Sequence, residues 1–298
     1  MLLQAPATEA LAPTVELDMM LQAPATETLA PWEKVQLARH PQRPHTRDYI
    51  RQLCGDFVEL RGDRGFADDQ AIVGGLGRTQ LGTIVVVGHQ KGHNTRENVR
   101  HNFGMPYPEG YRKALRLMRH AEKFGMPLIC FLDTCGAHSD LQAEERGQAQ
   151  AIAQNLMTMA SLKVPIVATV IGEGGAGGAL ALGLSDRLLM LEHSVYSVAT
   201  PEVIASILWR DPRCAPDAAE VMKITAQDLL ELGIVDEIIP EPAGGAHTDP
   251  RATINAVIEA ILRQLATLGS LQPWELVSGR YAKYRGIGAF AEPRGFQG

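Results

Sequence analysis

The sequence predicts an α/β fold with parallel strands and a mainly helical C-terminal part, and three observations carry that expectation. Thr83 to Gly88 (TIVVVG), Leu128 to Asp133 (LICFLD) and Val164 to Ile171 (VPIVATVI) are short, nearly all-apolar runs rich in β-branched residues, as strands covered on both faces must be. Amphipathic helical stretches lie between them. After Leu191 the strand character fades and helical patterns take over. Parallel neighbours need a crossover connection, usually a helix, so this alternation points to a parallel sheet.

Taken in order, the first 31 residues hold a near-exact duplication. Leu3 to Pro13 reads LQAPATEALAP and Leu21 to Pro31 reads LQAPATETLAP, differing only at Ala10 and Thr28. The Ala/Pro-rich composition predicts a solvated, extended leader, and two copies fall short of the three that a solenoid needs. From Trp32 the composition changes, and the helical start of WEKVQLARHPQRP is stopped by Pro41 and Pro44. Glu109 to Phe124 places Tyr111, Leu115, Met118 and Glu122 at helical spacing with Leu117 and Ala121 beside them, and Gly125 is a fitting stop. Glu144 to Ala160 reads the same way, with Met157 and Met159 as core filling rather than an adaptable binding surface. Asp217 to Leu232 and Thr253 to Leu268 read as further helices, the second after the loop PEPAGGAHTDP. One domain over 32–269 and a tail over 270–298 follow from this.

At 298 residues, 45% hydrophobic and 21% charged, the chain is long enough to bury a full core. A net charge of -6 at pH 7 offers no basic field for phosphate backbones, which sets nucleic acid aside as a partner. No apolar run nears the roughly 20 residues that span a bilayer, and the first residues lack the pattern of a secretory signal. A cytoplasmic location without membrane attachment is expected. Cys54, Cys130, Cys135 and Cys214 form no CxxC pair, so reduced thiols and no metal site are expected.

The most informative segment is IGEGGAGGAL, Ile171 to Leu180. A buried strand runs straight into Gly174, Gly175, Gly177 and Gly178 and then into a small-residue helix. Glycines let the backbone approach a ligand closely, and the free N–H groups at a helix start favour negative charge, which describes an oxyanion or phosphate cradle. No GKS or GKT follows and the spacing is not GxGxxG, so an oxyanion hole remains. The same glycines would also permit close helix-to-strand packing, a compatible role.

A second turn, DTCGAHSD from Asp133 to Asp140, follows the strand LICFLD. Both turns sit at the C-terminal ends of buried strands, where ligands collect in open parallel sheets, so the two loops are expected to face one another. Cys135 and His138 lack a third orienting group and do not make a nucleophilic dyad. Of the basic segments, GHQKGHNTREN offers Lys91 and Arg96 to a phosphate or carboxylate, whereas ARHPQRP reads as structural.

Between Trp32 and about Asp249 the stretches QLARHPQRP, GHQKG, NFGMPYPEGYRKALRLM, AEERGQ, VIGEGGAGGALALG, ASILW and IIPEPAGGAH stand in this order. Together they resemble the α subunit of the carboxyltransferase of bacterial and plastid acetyl-CoA carboxylase, in the crotonase-like superfamily. The resemblance implies a ββα superhelix. It implies transfer of a carboxyl group from carboxybiotin, presented by a biotin carboxyl carrier protein, to acetyl-CoA, forming malonyl-CoA for fatty-acid biosynthesis. The implied partners are a zinc-containing β subunit in an α2β2 assembly, which holds most of the CoA thioester, and biotin carboxylase in the larger complex; no cofactor is bound covalently to this chain. By the same resemblance the backbone N–H groups of Gly177 and Gly178 polarise the ureido oxygen of carboxybiotin and Gly174 and Gly175 shape the turn. Gly136, Ala137, Lys91 and Glu173 then belong to the substrate site, and biotin itself serves as the base.

Departures from the family pattern lie close to this site. DTCGAHSD stands where the family reads DTPGAYPG, and TPEV, Thr200 to Val203, where it reads SPEG. The loss of two prolines is expected to loosen the loop, and Asp140 brings negative charge towards a carboxylated ligand. The alternative reading is therefore a catalytically impaired α-type paralogue with a structural or regulatory role.

Overall fold

The computed structural model describes residues 29–288; apart from 29–31, the duplicated leader lies outside the described residues. The chain enters through α1 (Pro31–Ala38), with proline at the first helical position, where its missing N–H costs nothing. After the break at Pro41 and Pro44 comes α2 (Thr46–Leu53).

The sheet opens with a departure from the all-parallel expectation. Strands β1 (Phe57–Glu59), β2 (Ile72–Thr79) and β3 (Gly82–His89) run antiparallel, β2 and β3 joined by a tight turn at residues 80 and 81. β2 reads IVGGLGRT, which has little strand character, yet its glycines are what the packing requires. A Cβ on Gly74 would stand 2.5 Å from Leu117 Cδ1 of the covering helix, and one on Gly75 would run into the carbonyl oxygen of Val58.

From β3 onward the sheet is parallel, as predicted. β4 (Leu128–Thr134), β5 (Ile166–Gly175), β6 (Arg187–Leu191) and β8 (Glu237–Ile239) follow, and among the described residues the order is β1-β2-β3-β4-β5-β6-β8. β5 is buried along its whole length. Its first half lies between β4 and β6. After a register shift opposite Leu132 and Thr134, its second half takes a new parallel partner, β7 (Val195–Ser197).

Helices cover both faces. Alternate residues such as Val85, Cys130, Ala168 and Met190 meet α4 (Pro108–Phe124), α6 (Gln148–Ser161) and α7 (Ala176–Gly183). Their neighbours Val86, Ile129, Val167 and Leu189 meet α2 and the long α11 (Pro250–Leu268). This period-two division explains why the three strands recognised in the sequence are apolar at nearly every position.

Shorter helices complete the chain: α3 (Thr95–Arg100), α5 (Leu141–Glu145), α8 (Pro201–Trp209), α9 (Ala215–Met222), α10 (Ala226–Glu231) and α12 (Pro273–Gly286). Two helices expected to be continuous are each split. Gly147, at φ +81°, separates α5 from α6, and Lys223, at φ +54°, separates α9 from α10. Met159 is fully buried but Met157 is 74% exposed, because residues two apart on a helix point to nearly opposite sides; only Met159 fills the core. The segment expected as a tail carries α12, whose Arg280 is buried and grips both carboxylate oxygens of Asp186 at 2.9 Å. No helix among the described residues is long and apolar enough to cross a membrane.

Candidate active site at the strand ends

The C-terminal ends of β3, β4 and β5 stop at one edge of the sheet, and the residues just beyond or at those ends are Lys91, Cys135 and Glu173–Gly175. The glycine run is divided by the fold in a way the sequence did not show. Gly174 and Gly175 are still strand, paired with β7, and the turn itself is one residue, Ala176, at φ +51°. A non-glycine residue in this left-handed region is strained, and such strain is held where the surroundings insist on it.

The glycines divide by what surrounds them. A Cβ on Gly174 would stand 2.5 Å from the Tyr196 ring, one on Gly175 would strike the Cys135 carbonyl, and one on Gly178 would lie 2.5 Å from Ala137 N and 2.6 Å from Gly136 C. These three are needed for close packing. Gly177 is different: it is exposed, and a Cβ there would meet only Ile152, at 3.9 Å. Packing therefore does not explain glycine at 177, whereas close approach of a ligand to the backbone does. The N–H groups of Ala176, Gly177 and Gly178 begin α7 and have no carbonyl within the helix to bond.

The contact of Gly178 with Gly136 and Ala137 also brings the two strand-end loops face to face, as expected. Gly136 donates its N–H to Thr134 Oγ1 at 3.0 Å. The unusual residues of this loop are tied down by side chains: Asp140 caps α5 through Ala143 N at 2.7 Å and accepts from Tyr107 Oη at 3.2 Å. Gln148 donates to the carbonyls of both His138 and Pro106 at 2.8 Å.

Lys91 and Glu173, separated by 82 residues in the chain, meet at 3.3 Å. Lys91 Nζ also lies 2.7 Å from Asp133 Oδ1, and Asp133 accepts the Glu173 N–H at 3.1 Å. Burial by itself would deprive Lys91 of its proton, but Asp133 and Glu173 hold its ammonium well above the usual lysine range. Burial likewise opposes ionisation of Asp133, and Lys91 and His45 overcome it, so that this carboxyl lies far below the usual range. The site thus holds a fixed, paired charge cluster.

Sequence reasoning passed over several members of this cluster. Arg39, in the segment read as structural, contacts Glu173 at 2.7 Å and also pairs with Glu202. His45 lies 3.4 Å from Asp133 and stacks on His93. Gly104 closes over Asp133 and Lys91, in a corner where Asn102, Phe103 and Gly104 all have positive φ. Partners so distant in sequence leave no local signal; only the apolar strands that end beside them could have located them. Arg96, by contrast, is exposed on α3 and is not brought to the cluster.

Two cavities flank the glycine turn. One, of about 580 Å³, is mainly apolar and is lined by Ala176, Gly177, Leu180, Tyr196 and Val198 among others. The other, of about 500 Å³, lies against Ala137, His138, Asp140 and Ile152. Among the described residues no group of His, Cys, Asp and Glu is arranged to hold a metal ion, and all four cysteines are free thiols.

Residues 13–288 match the family described as acetyl co-enzyme A carboxylase carboxyltransferase-like. The chain is similar to the acetyl-coenzyme A carboxylase carboxyl transferase subunit alpha of Heliobacterium modesticaldum, with 58% identity over 257 residues, 86% of this chain and 77% of that protein. The protein of the same name from Caulobacter vibrioides is also 58% identical, over 86% of this chain and 80% of its own length. Among solved structures, transcarboxylase 12S, with methylmalonyl-coenzyme A and methylmalonic acid bound, aligns with a TM-score of 0.63 at 18% identity. That alignment covers 80% of this chain and 45% of the transcarboxylase chain, and it is a likeness of fold.

Proposed function

The chain belongs to the acetyl-CoA carboxylase carboxyltransferase family, as an alpha-type subunit with the crotonase-like fold, and on that premise we propose that its glycine turn is the biotin side of the carboxyl-transfer site. The observation that carries the reading is Gly177, the one glycine of the run with open space where a side chain would be. A ureido oxygen needs that approach to reach the N–H groups of Gly177 and Gly178. When bound, carboxybiotin supplies both the carboxyl group and, after its departure, the base for the acetyl methyl group.

The chain's own task is then to stabilise charge. The N–H groups at the start of α7 are fixed in direction by the packing of Gly174, Gly175 and Gly178, so they meet a developing oxyanion without reorganising. Gly136 and Ala137 form the facing wall. Lys91 keeps its proton between Asp133 and Glu173, and Glu173 ties both Lys91 and Arg39 to the end of β5 beside the turn. No side-chain nucleophile is assigned.

We assign the complementary half, which holds the CoA thioester, to a zinc-containing β subunit in an α2β2 assembly, with biotin carboxyl carrier protein and biotin carboxylase completing the system for malonyl-CoA formation. The apolar surface of α8 supports a protein partner, since Ile207 and Leu208 are mostly exposed and Val203 and Trp209 nearly half so. The unpaired thiols support a reducing, cytoplasmic location. The test is carboxyl transfer from malonyl-CoA to biocytin by this chain mixed with a bacterial β subunit, each chain alone serving as control. Transfer in the mixture only is expected. Co-elution of the chains without transfer would overturn the site assignment.

A further inference from the structure

The charge cluster at the strand ends continues past the glycine turn to a helix at the surface. Of the nine residues of α8 only Pro201 and Ala205 are buried, and the helix packs mainly on α9 and the turn that joins the two. Glu202, in its first turn, nevertheless reaches inward, and both of its carboxylate oxygens accept from the terminal nitrogens of Arg39. The remaining nitrogen of that guanidinium, Nε, donates to Glu173 Oε1 at 2.7 Å. Arg39 thus uses every nitrogen of its fork to join three elements: the C-terminal cap of α1, the start of α8 and the end of β5.

The residue that Arg39 grips at the inner end is fixed and close to the turn. Glu173 donates its N–H to Asp133 at 3.1 Å and sets its second oxygen 3.3 Å from Lys91 Nζ. It pairs with Val195 of β7 and stands three residues before Ala176, whose left-handed backbone sends the chain into α7. The Glu173 side chain is 10% exposed and that of Arg39 27%, so water screens the pair only in part. Removing Arg39 leaves the carboxylates of Glu173 and Glu202 without the cation between them, and Glu173 then depends on a lysine that it shares with Asp133.

We propose that Arg39 is a positioning residue for carboxyl transfer, a bridge through which the placement of α8 sets the direction of the glycine turn. It acts through Glu173 rather than on the substrate. A protein seated on the exposed face of α8 therefore influences the N–H groups of Gly177 and Gly178 from a distance, as two sites do when one coupling free energy joins them. Such coupling is established by showing that a change at one end is felt at the other. The role in transfer rests on the carboxyl-transfer reading of the turn and on a partner at α8; the bridge itself rests on neither.

Two measurements on Arg39→Gln, Arg39→Lys, Glu202→Gln and the Arg39→Gln/Glu202→Gln double variant test this. The first is amide hydrogen exchange of the full chain alone. Exchange over residues 173–175 is expected to quicken about tenfold in Arg39→Gln and in Glu202→Gln, as loss of a charged hydrogen bond implies, while α11 exchanges as in the parent. The second is carboxyl transfer from malonyl-CoA to biocytin with a saturating β subunit. In both single variants kcat is expected to fall about tenfold or more, with the KM for biocytin and co-elution with β within about twofold of the parent. The double variant should lose no more than either single one, because both interrupt the same bridge. Lysine at 39 should recover little, since one ammonium cannot serve Glu173 and both oxygens of Glu202. Unchanged exchange at 173–175, equal quickening in α11, a parental kcat in an active mixture, additive losses in the double variant or full rescue by lysine would each overturn the proposal. A parent chain that transfers nothing with β overturns the functional reading and the role in transfer with it, and exchange then decides the bridge on its own.

Discussion

At the scale of single residues, adjacent glycines have opposite reasons to exist, and that difference can be measured. Gly177→Ala places a methyl group in open space within the first turn of α7, and helix propensity should raise stability by up to about 1 kcal/mol. Carboxyl transfer should nevertheless fall, and in Gly177→Val it should be lost by about a hundredfold or more, the usual effect of disabling an oxyanion donor. Gly178→Ala drives a methyl group into Ala137 and Gly136, so its stability should drop by about 1–3 kcal/mol in urea unfolding. Equal melting of the two alanine variants would contradict this division. The glycine run was legible in the sequence as a strand-to-helix turn, but which of its glycines has open space beside it depends on atoms from other strands. His89 provides the pH test. It is fully buried, and burial, opposed by Asp133, brings its pKa to about 4 from 6.5. The folded protein therefore refuses a proton that the unfolded chain accepts, so the stability contribution is complete above about pH 6.5 and is lost as pH falls towards 4. Over that window the loss amounts to about 3 kcal/mol. His89→Asn should flatten this part of the urea-midpoint profile relative to the parent; an unchanged slope would rule the role out.

Among elements, the strands buried on both faces and the helix α4 were legible because their residues repeat the geometry of their surroundings. β2 was not: a glycine-rich strand is chosen by the closeness of its neighbours, and a local pattern carries no record of Leu117 or Val58. α12 was hidden for a related reason. Its sequence, PWELVSGRYAKYRG, has no apolar stripe, and its attachment depends instead on Arg280, which donates to the carbonyls of Met159 and Leu162 as well as to Asp186. Arg280→Ala leaves Asp186 buried without its cation and should cost about 3–5 kcal/mol, read from the urea midpoint. Lysine at 280 should recover little of this, because a single ammonium cannot reproduce the fork. Full rescue by lysine would reduce the contact to simple charge pairing. The loop from Cys135 to Asp140 illustrates the same dependence: two prolines are absent, but Asp140 and Gln148 supply ties that become apparent only when α5 and α6 are in place.

For the whole molecule, the surface around α8 carries the decisive prediction. Ile207→Asp combined with Trp209→Ala replaces two exposed side chains, so the chain alone should melt as the parent does. Co-elution with a β subunit and carboxyl transfer should both disappear. Retained transfer would move the partner to another face. Family membership, the parallel part of the sheet and the two strand-end loops were determined by the sequence alone, because apolar runs, glycine spacing and ordered motifs are local properties of the chain. The tertiary structure alone decided the antiparallel start of the sheet, the meeting of Lys91 with Asp133, Glu173 and their neighbour Arg39, and the open side of Gly177. These depend on distances between residues far apart in the chain, and such distances exist only once the strands have been brought into register.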